Sequence, residues 1–245
     1  MEVTYLGHYG TDLTVVNAAR VSFGKRTQDF RPGKDDRLLA FLARHKHELP
    51  FAHPHVSFHF KAPIFVARQL AKHQVGFVWS EISRRYVKDD PELYWPSKWR
   101  KSAPDVKQGS SDEEFTDPFG SASRAHTTAR ALVWDYKRLV LDGMCPEQAR
   151  MILPQNMYTE WHWTGSLLGW SRVWNLRVKP DAQAETREIV YKWLRCSNSY
   201  FLRNITNTLR YIFDSWRCSC SVGFNRIWAN CHDAYSMRNF GVNGC

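Results

Sequence analysis

No apolar run in this chain approaches the ~18 residues that would suggest a membrane span. Its first residues, Met1-Glu2-Val3-Thr4-Tyr5, lack the basic and apolar regions of a signal peptide. Both absences make the cytoplasm the expected location. Neither G-x-G-x-x-G nor G-x-x-x-x-G-K-S/T occurs, so a Rossmann or P-loop nucleotide site is unsupported. Four histidines crowd together at His47, His53, His55 and His59, but no H-E-x-x-H accompanies them and no carboxylate pair completes a metal site. Of six cysteines, four fall in the last 28 residues as Cys218-Ser-Cys220, Cys231-His232 and Cys245, a poor match to zinc-finger spacing. No metal is expected. Acidic residues are also scarce: 24 Asp and Glu stand against 34 Lys and Arg, a formal charge of +10. That balance suits an anionic partner, whether polynucleotide, nucleotide phosphate or folate glutamates. The cations are spread along the chain with no Lys/Arg-rich block, so a simple binding tail is absent.

A length of 245 residues allows one large domain or two small ones, with a core that needs neither disulfide nor metal. The stretch from Leu13 to Phe23 reads as a short helix into a loop. Residues 36–45 carry Leu38, Leu39, Phe41 and Leu42 at helical spacing. Val56, Phe58 and Phe60 alternate with polar residues, the period of a half-buried strand. Pro63 is suited to open a helix, which the pattern carries to about Gln74, with Gln69 and His73 on one face and Arg68 and Lys72 in the next row. Residues 88–120 are rich in Pro, Asp, Ser and Lys and read as a long surface excursion, with a helical turn possible after Ser111. A helix from about Ser123 has Leu132, Tyr136, Leu139 and Val140 as its stripe and stops at Gly143. A shorter one spans Pro146 to Leu153 before Pro154. Asp181 is a plausible N-cap for a helix to about Leu194, with Glu188 and Lys192 as an i,i+4 pair.

The segment from Lys72 to Tyr86 is the chemically densest. It offers cations, an imidazole, hydroxyls and carboxamide or carboxylate groups, interleaved with Phe77 and Trp79. Glu81, Ser83 and Arg85 are spaced by two, so an extended backbone would point them the same way. Arg85 suits bidentate contact with a phosphate, Gln69 and Ser83 suit a pyrimidine or phosphate edge, and Glu81 an amide or sugar hydroxyl. Arg150 and Arg177 are either surface cations or contributors to one anionic site; spacing alone leaves both open.

These residues resemble the flavin-dependent thymidylate synthases, the ThyX family. Its signature is R-H-R-x-x-S-x-N-E-x-S-x-R-Y. The chain shows Lys72-His73-Gln74, then Glu81, Ser83, Arg85 and Tyr86 in the expected order. The blocks 18–23, 47–53, 58–69 and 182–185 also follow the family's order, so the resemblance covers roughly residues 1–195. It implies an α+β fold with a mixed β-sheet and surrounding helices, assembled as a homotetramer with shared active sites. The division it implies is a catalytic domain at 1–196 and a Cys- and aromatic-rich extension at 197–245. It further implies reductive methylation of dUMP to dTMP, with 5,10-methylenetetrahydrofolate as methylene donor and NADPH-reduced FAD as reductant. By the same resemblance Gln69, Glu81, Ser83, Arg85, Arg150 and Arg177 would bind dUMP, with Arg177 and Ser83 closest to the chemistry. Ser22, His47, Lys72, His73, Gln74, Glu81 and Arg172 would contact FAD.

The departures are specific. Lys72 and Gln74 replace the two arginines of the triplet, which removes one charge and two planar forks. One extra residue lies between His73 and Glu81. Ser166, Leu168, Arg172 and Asp181 stand where the family usually has Asn, Arg, Asn and His. Two alternatives remain beside methylation: hydroxymethylation of a pyrimidine nucleotide in the same pocket, and, from the charge and 35 aromatics, a nucleic-acid-binding protein. The resemblance argues for no membrane and no nucleic acid as partner.

Overall fold

The computed structural model describes residues 1–87, 89–103 and 110–200. Its centre is a four-stranded sheet built from β1 (Glu2–Tyr9), β2 (His55–Pro63), β3 (Phe77–Glu81) and β4 (Tyr158–Ser166), in the order β1-β2-β4-β3. All three pairings are antiparallel. The α+β class holds, but the mixed sheet expected from the sequence is corrected to a wholly antiparallel one. The reason lies in β4, to which no element had been assigned: it enters between β2 and β3 and runs against both.

One face of the sheet is apolar because the inward positions alternate. Val56, Phe58 and Phe60 on β2 and Trp161 and Trp163 on β4 are all essentially inaccessible to solvent. In register, Phe58 faces Trp163 and Phe60 faces Trp161, and the Phe60 and Trp161 rings stack with centroids 5.3 Å apart. Helix α6 (Leu167–Arg177) lays Trp170 on this surface, and α7 (Ala184–Tyr200) adds Trp193, stacked on Trp170 at 4.9 Å. Burying four indoles in one cluster supplies most of the aromatic core. The opposite face is polar, with a Ser57–Thr164 hydroxyl pair at 2.8 Å and a His59–Glu160 contact at 3.2 Å.

Helices α1 (Asp12–Arg20) and α2 (Lys34–Arg44) cover one end of the core through Val15, Val16, Leu39 and Leu42. The link between them is held by Asp35. Its carboxylate is fully buried, contacts the Arg20 guanidinium, and accepts from the Arg31 backbone N–H at 2.9 Å. Burial pushes its pKa up, but the hydrogen bonds from Arg20 and Arg31 outweigh that and hold it below the usual carboxylate value.

Helix α3 (Ile64–Leu70) is shorter than the sequence pattern suggested: it ends at Leu70, with His73 N–H donating to the Leu70 carbonyl at 3.0 Å. The chain must reverse there to reach β3. Gly76 makes the reversal with φ +81°, where a Cβ would also lie 2.8 Å from Ser166 Oγ. Phe77 is then seated on Gly165 and Gly169, at positions where any Cβ would strike its ring.

The long helix α4 (Ser121–Leu141) ends at Asp142-Gly143, the glycine at φ +94°, and buries Tyr136. The short α5 (Pro146–Ala149) continues into a 3-10 turn at Arg150–Ile152. The surface excursion is tied at two points among the described residues: Leu93 bridges to Met157 and Arg100 to Glu114. No helical turn follows Ser111. Asp181 caps nothing, because α7 begins three residues later, while the Glu188–Lys192 pair is formed at 3.0 Å. The 197–245 extension lies almost wholly outside the described residues.

Candidate functional site

Three stretches that are distant in sequence meet in a cleft of about 660 Å³. The end of α3 and the residues just after it bring Arg68, Gln69 and Lys72. The last turn of α6 brings Arg177, the following link brings Asp181 and Gln183, and residues 89–103 bring Arg100. Four cations face one carboxylate, so the cleft favours an anion.

Arg177 is the best-anchored of these cations. Its Nε donates to His73 Nε2 at 3.0 Å and its Nη2 to the Gln69 backbone carbonyl at 2.8 Å. Nη1 has no partner among the described residues. Accepting from Arg177 requires a lone pair on His73 Nε2, so the imidazole is neutral with its proton on Nδ1. Burial, and then the charge of Arg177, lower the His73 pKa to about 4, in agreement with that geometry. The Gln69 carboxamide is equally fixed: it donates to Gln183 Oε1 and accepts from Thr186 Oγ1 at 3.1 Å. Helix α7 thereby sets the orientation of a side chain on α3.

The other residues singled out from the sequence lie elsewhere. Backbone extension ends at Glu81, and Ser83 to Tyr86 form a turn closed by Tyr86 N–H to the Ser83 carbonyl at 3.0 Å. Glu81, Ser83 and Arg85 therefore do not share a direction, which corrects the expectation from their spacing. The Glu81 carboxylate accepts from Thr159 Oγ1 at 2.6 Å and from Trp79 Nε1 at 3.0 Å. Ser83 Oγ accepts from the Arg85 backbone N–H at 3.3 Å; no base contacts it among the described residues. Arg85 reaches Glu147 of α5 at 3.9 Å, one turn from the exposed Arg150. Ser83, Arg85 and Arg150 thus form an edge that does not line the cleft.

A third group sits on another part of the surface. Arg172 donates to Glu48 Oε2 at 2.6 Å, and neighbouring His47 stacks on Phe41. Ser22 is exposed and donates to the Ala19 carbonyl at 3.1 Å. Gln74 points its backbone carbonyl to the Phe77 N–H and leaves its side chain exposed. Within a single chain, then, Gln69, Lys72, His73 and Arg177 come together, while Glu81, the Ser83–Arg85–Arg150 edge, and the Ser22, His47, Gln74 and Arg172 positions remain apart.

A family described as thymidylate synthase complementing protein matches residues 5–200. The chain belongs to that family. The resemblance read from the sequence is borne out at this level. Among relatives, the flavin-dependent thymidylate synthase of Thermus thermophilus is 38% identical over 190 residues, 76% of this chain and 67% of that protein. That of Thermosipho melanesiensis is 36% identical over 184 residues, 75% of this chain and 79% of that protein. Among solved structures, a UMP/dUMP methylase, PolB from Streptomyces cacaoi bound with 5-Br dUMP, has the same fold. Its TM-score is 0.74 at 24% identity, covering 86% of this chain and 94% of that one.

For this family member, sequence reasoning missed Arg100 and Gln183 as cleft residues and met Asp181 only as a helix cap and as a departure from the family pattern. Arg68 was legible, one row from Gln69 on α3. Arg100 carried no signal: it arrives through an ion pair with Glu185 at 2.8 Å, across a separation of 85 residues. Among the described residues no helix is long and apolar enough to cross a membrane.

Proposed function

We propose that this protein is a flavin-dependent thymidylate synthase that converts dUMP to dTMP, taking the methylene from 5,10-methylenetetrahydrofolate and reducing equivalents from NADPH through FAD. The observation that carries the reading is the clamped Arg177, held by His73 and Gln69 at the wall of a basic cleft in a chain of this family. The cleft's donor set fits phosphorylated ligands: Arg68, Lys72 and Arg100 line it beside one carboxylate, Asp181, with Arg100 also paired to Glu185. Lys72, His73, Gln74, Ser22, His47, Glu81 and Arg172 are the residues to hold FAD. When bound, the flavin supplies the hydride chemistry that no side chain of this protein provides.

The side chains contribute binding and electrostatics. C5 of uracil is a poor nucleophile until C6 gains electron density, which requires that the negative charge developing on the ring carbonyl oxygens be stabilised. The unpartnered Nη1 of Arg177 is the donor for that task, and its direction is set before substrate arrives, so little reorganisation is needed. Gln69, pre-oriented by Gln183 and Thr186, reads the pyrimidine edge. Ser83 acts as a ligand for dUMP, because nothing beside it removes its proton. Arg85 and Arg150 hold the nucleotide phosphate, and Glu81, fixed by Thr159 and Trp79, completes the set.

These last residues are separate from the cleft in one chain, so the reading includes a homotetramer in which a neighbouring copy supplies them. Two features support it. β3 is an edge strand, and the Ser83–Arg85–Arg150 edge is flanked by exposed apolar side chains: Val78 at 68%, Tyr86 at 75% and Met151 at 77%. A lone copy would leave that apolar surface in water.

The test is tritium release from dUMP labelled at C5, with FAD, NADPH and methylenetetrahydrofolate. The expected result is release together with a nucleotide product one CH2 heavier. Saturable dUMP binding without release overturns the assignment.

A further inference from the structure

Two cavities open on either side of Arg100. One is the basic cleft. The second, of about 520 Å³, is walled by Phe65, Tyr94, Trp95 and Trp99 and shares Arg100, Ser110 and Gln183 with the first. Its size falls within the range of small-molecule sites. We propose that this second cavity binds a flat heteroaromatic ring carrying an exocyclic amino group, and that an anionic arm of the same molecule passes Arg100 into the basic cleft.

Three observations carry this. The walls are aromatic and braced from behind. His126, which does not line the cavity, stacks on Trp95 at 3.6 Å with an interplanar angle of 14°, and the Tyr94 ring packs edge-on against Phe65 at 5.9 Å. Rigid indole and phenol faces recognise a π-system at small entropic cost. Second, the polar end of the cavity is a carboxylate. Glu185 is 8% exposed; Oε1 accepts from Arg100 at 2.8 Å, and Oε2 is buried with no hydrogen-bond partner among the described residues. A buried carboxylate oxygen without a donor is costly, and an amino N–H is the group that relieves it. Third, on the far side of the shared Arg100 the basic cleft presents Arg68 and Lys72, which suit a phosphate or carboxylate arm. A uracil ring offers only its N3–H, flanked by two carbonyls that would crowd Oε2, and the residues assigned above to the pyrimidine, Gln69 and Arg177, do not line this cavity.

Tyr94 favours the same chemistry. Burial, and then the charge of Glu185, push its phenol up to about 12, so it remains a neutral donor beside the carboxylate across the working pH range.

The inference does not rest on the methylation reading, because dUMP affinity is measured alongside and either can fail alone. The experiment is calorimetric titration of the full chain with AMP, with IMP, which carries an oxo group in place of the amino group, and with adenosine, which lacks the phosphate. AMP is expected to saturate one site, IMP to bind about tenfold more weakly, and adenosine to bind more weakly than AMP by a margin that shrinks with salt. Trp95→Ala should weaken AMP about tenfold and leave dUMP affinity unchanged. Trp99→Ala serves as the second probe should removal of the His126 stacking partner unfold the protein. Glu185→Gln should erase the preference for AMP over IMP. The proposal is overturned if AMP does not saturate, if AMP and IMP bind alike to the wild type, or if the tryptophan variants weaken dUMP and AMP by the same factor.

Discussion

Arg177 has two of its three guanidinium nitrogens tied to groups of the same chain, His73 and the Gln69 carbonyl. Arg85 has one ion pair, at 3.9 Å, to a Glu147 whose side chain is 67% exposed, and it lies over the Tyr86 ring at 5.4 Å. The first is pre-positioned by the fold. The second is a screened surface contact worth little by itself, free to exchange Glu147 for a better anion. Two groups assigned to one reaction are therefore organised differently: the cleft by internal contacts, the edge by whatever docks on it. Under the proposed assembly, the contrast separates a group held within one chain from a group completed between chains. Substitutions in the cleft should act on chemistry within a chain, and substitutions at the edge should act on the site shared between chains.

The largest effect expected is from Arg177→Ala. Removing a pre-oriented donor should cost on the order of 10³ in turnover, read by tritium release, with the fold retained by circular dichroism. Near-normal rates would break the comparison at its first term. Next, Arg85→Ala and Arg150→Ala should each weaken dUMP binding by about tenfold or more while leaving the thermal midpoint unchanged, since both side chains are exposed. A drop in midpoint would show that the edge is structural after all. Mixing Arg177→Ala chains with Arg85→Ala chains, at a dUMP concentration too low for the Arg85→Ala site to fill, should raise activity above both parents if the two groups act across subunits. Mixtures no more active than their parents would place them in one chain.

Stability sharpens the contrast further. Asp35→Asn leaves Arg20 without its buried partner and should destabilise by roughly 3 kcal/mol, measured by urea unfolding. Because its carboxyl is held below the ordinary value, the stabilisation is present above the unfolded pKa of 3.8 and is lost as pH falls through the lower folded value. The last effect is that of His73. Its folded pKa of about 4 lies under the ordinary imidazole value of 6.5. The unfolded chain therefore binds more protons between those values, and stability should fall as pH drops from 6.5 toward 4, then level off. An NMR titration should find the His73 ring neutral at pH 5.5. A ring that titrates near 6.5 would mean that the Arg177 Nε hydrogen bond is not made in solution.

Much of the fold was legible where one periodicity dominated. The Val56, Phe58, Phe60 alternation marked β2, and the Leu38–Leu42 and Leu132–Val140 stripes marked α2 and α4, because burial of one face imposes a period on the sequence. β4 carried the same signal, Thr159, Trp161 and Trp163 alternating with Glu160, His162 and Thr164, yet no strand was assigned there. The length of α3 was overestimated because helical spacing continues past Leu70, whereas the reversal at Gly76 is a demand of the sheet. Helix propensity is a weak prior beside strand pairing.

The candidate site divides the same way. Residue types and their order, Lys72-His73 through Arg85 and on to Arg177, were sufficient to place the chain in its family and to name the donors that an anionic nucleotide needs. That information is local, since side-chain chemistry belongs to each residue wherever it lies. Contact between them is not local. The Arg177–His73 hydrogen bond spans 104 residues and the Arg100–Glu185 pair spans 85. Which cations share a cleft, which tautomer His73 adopts, and which carboxylate oxygen of Glu185 is left wanting a donor were decided only when the antiparallel sheet brought α3, α6 and α7 together. Close packing selects among partners that sequence spacing leaves equivalent.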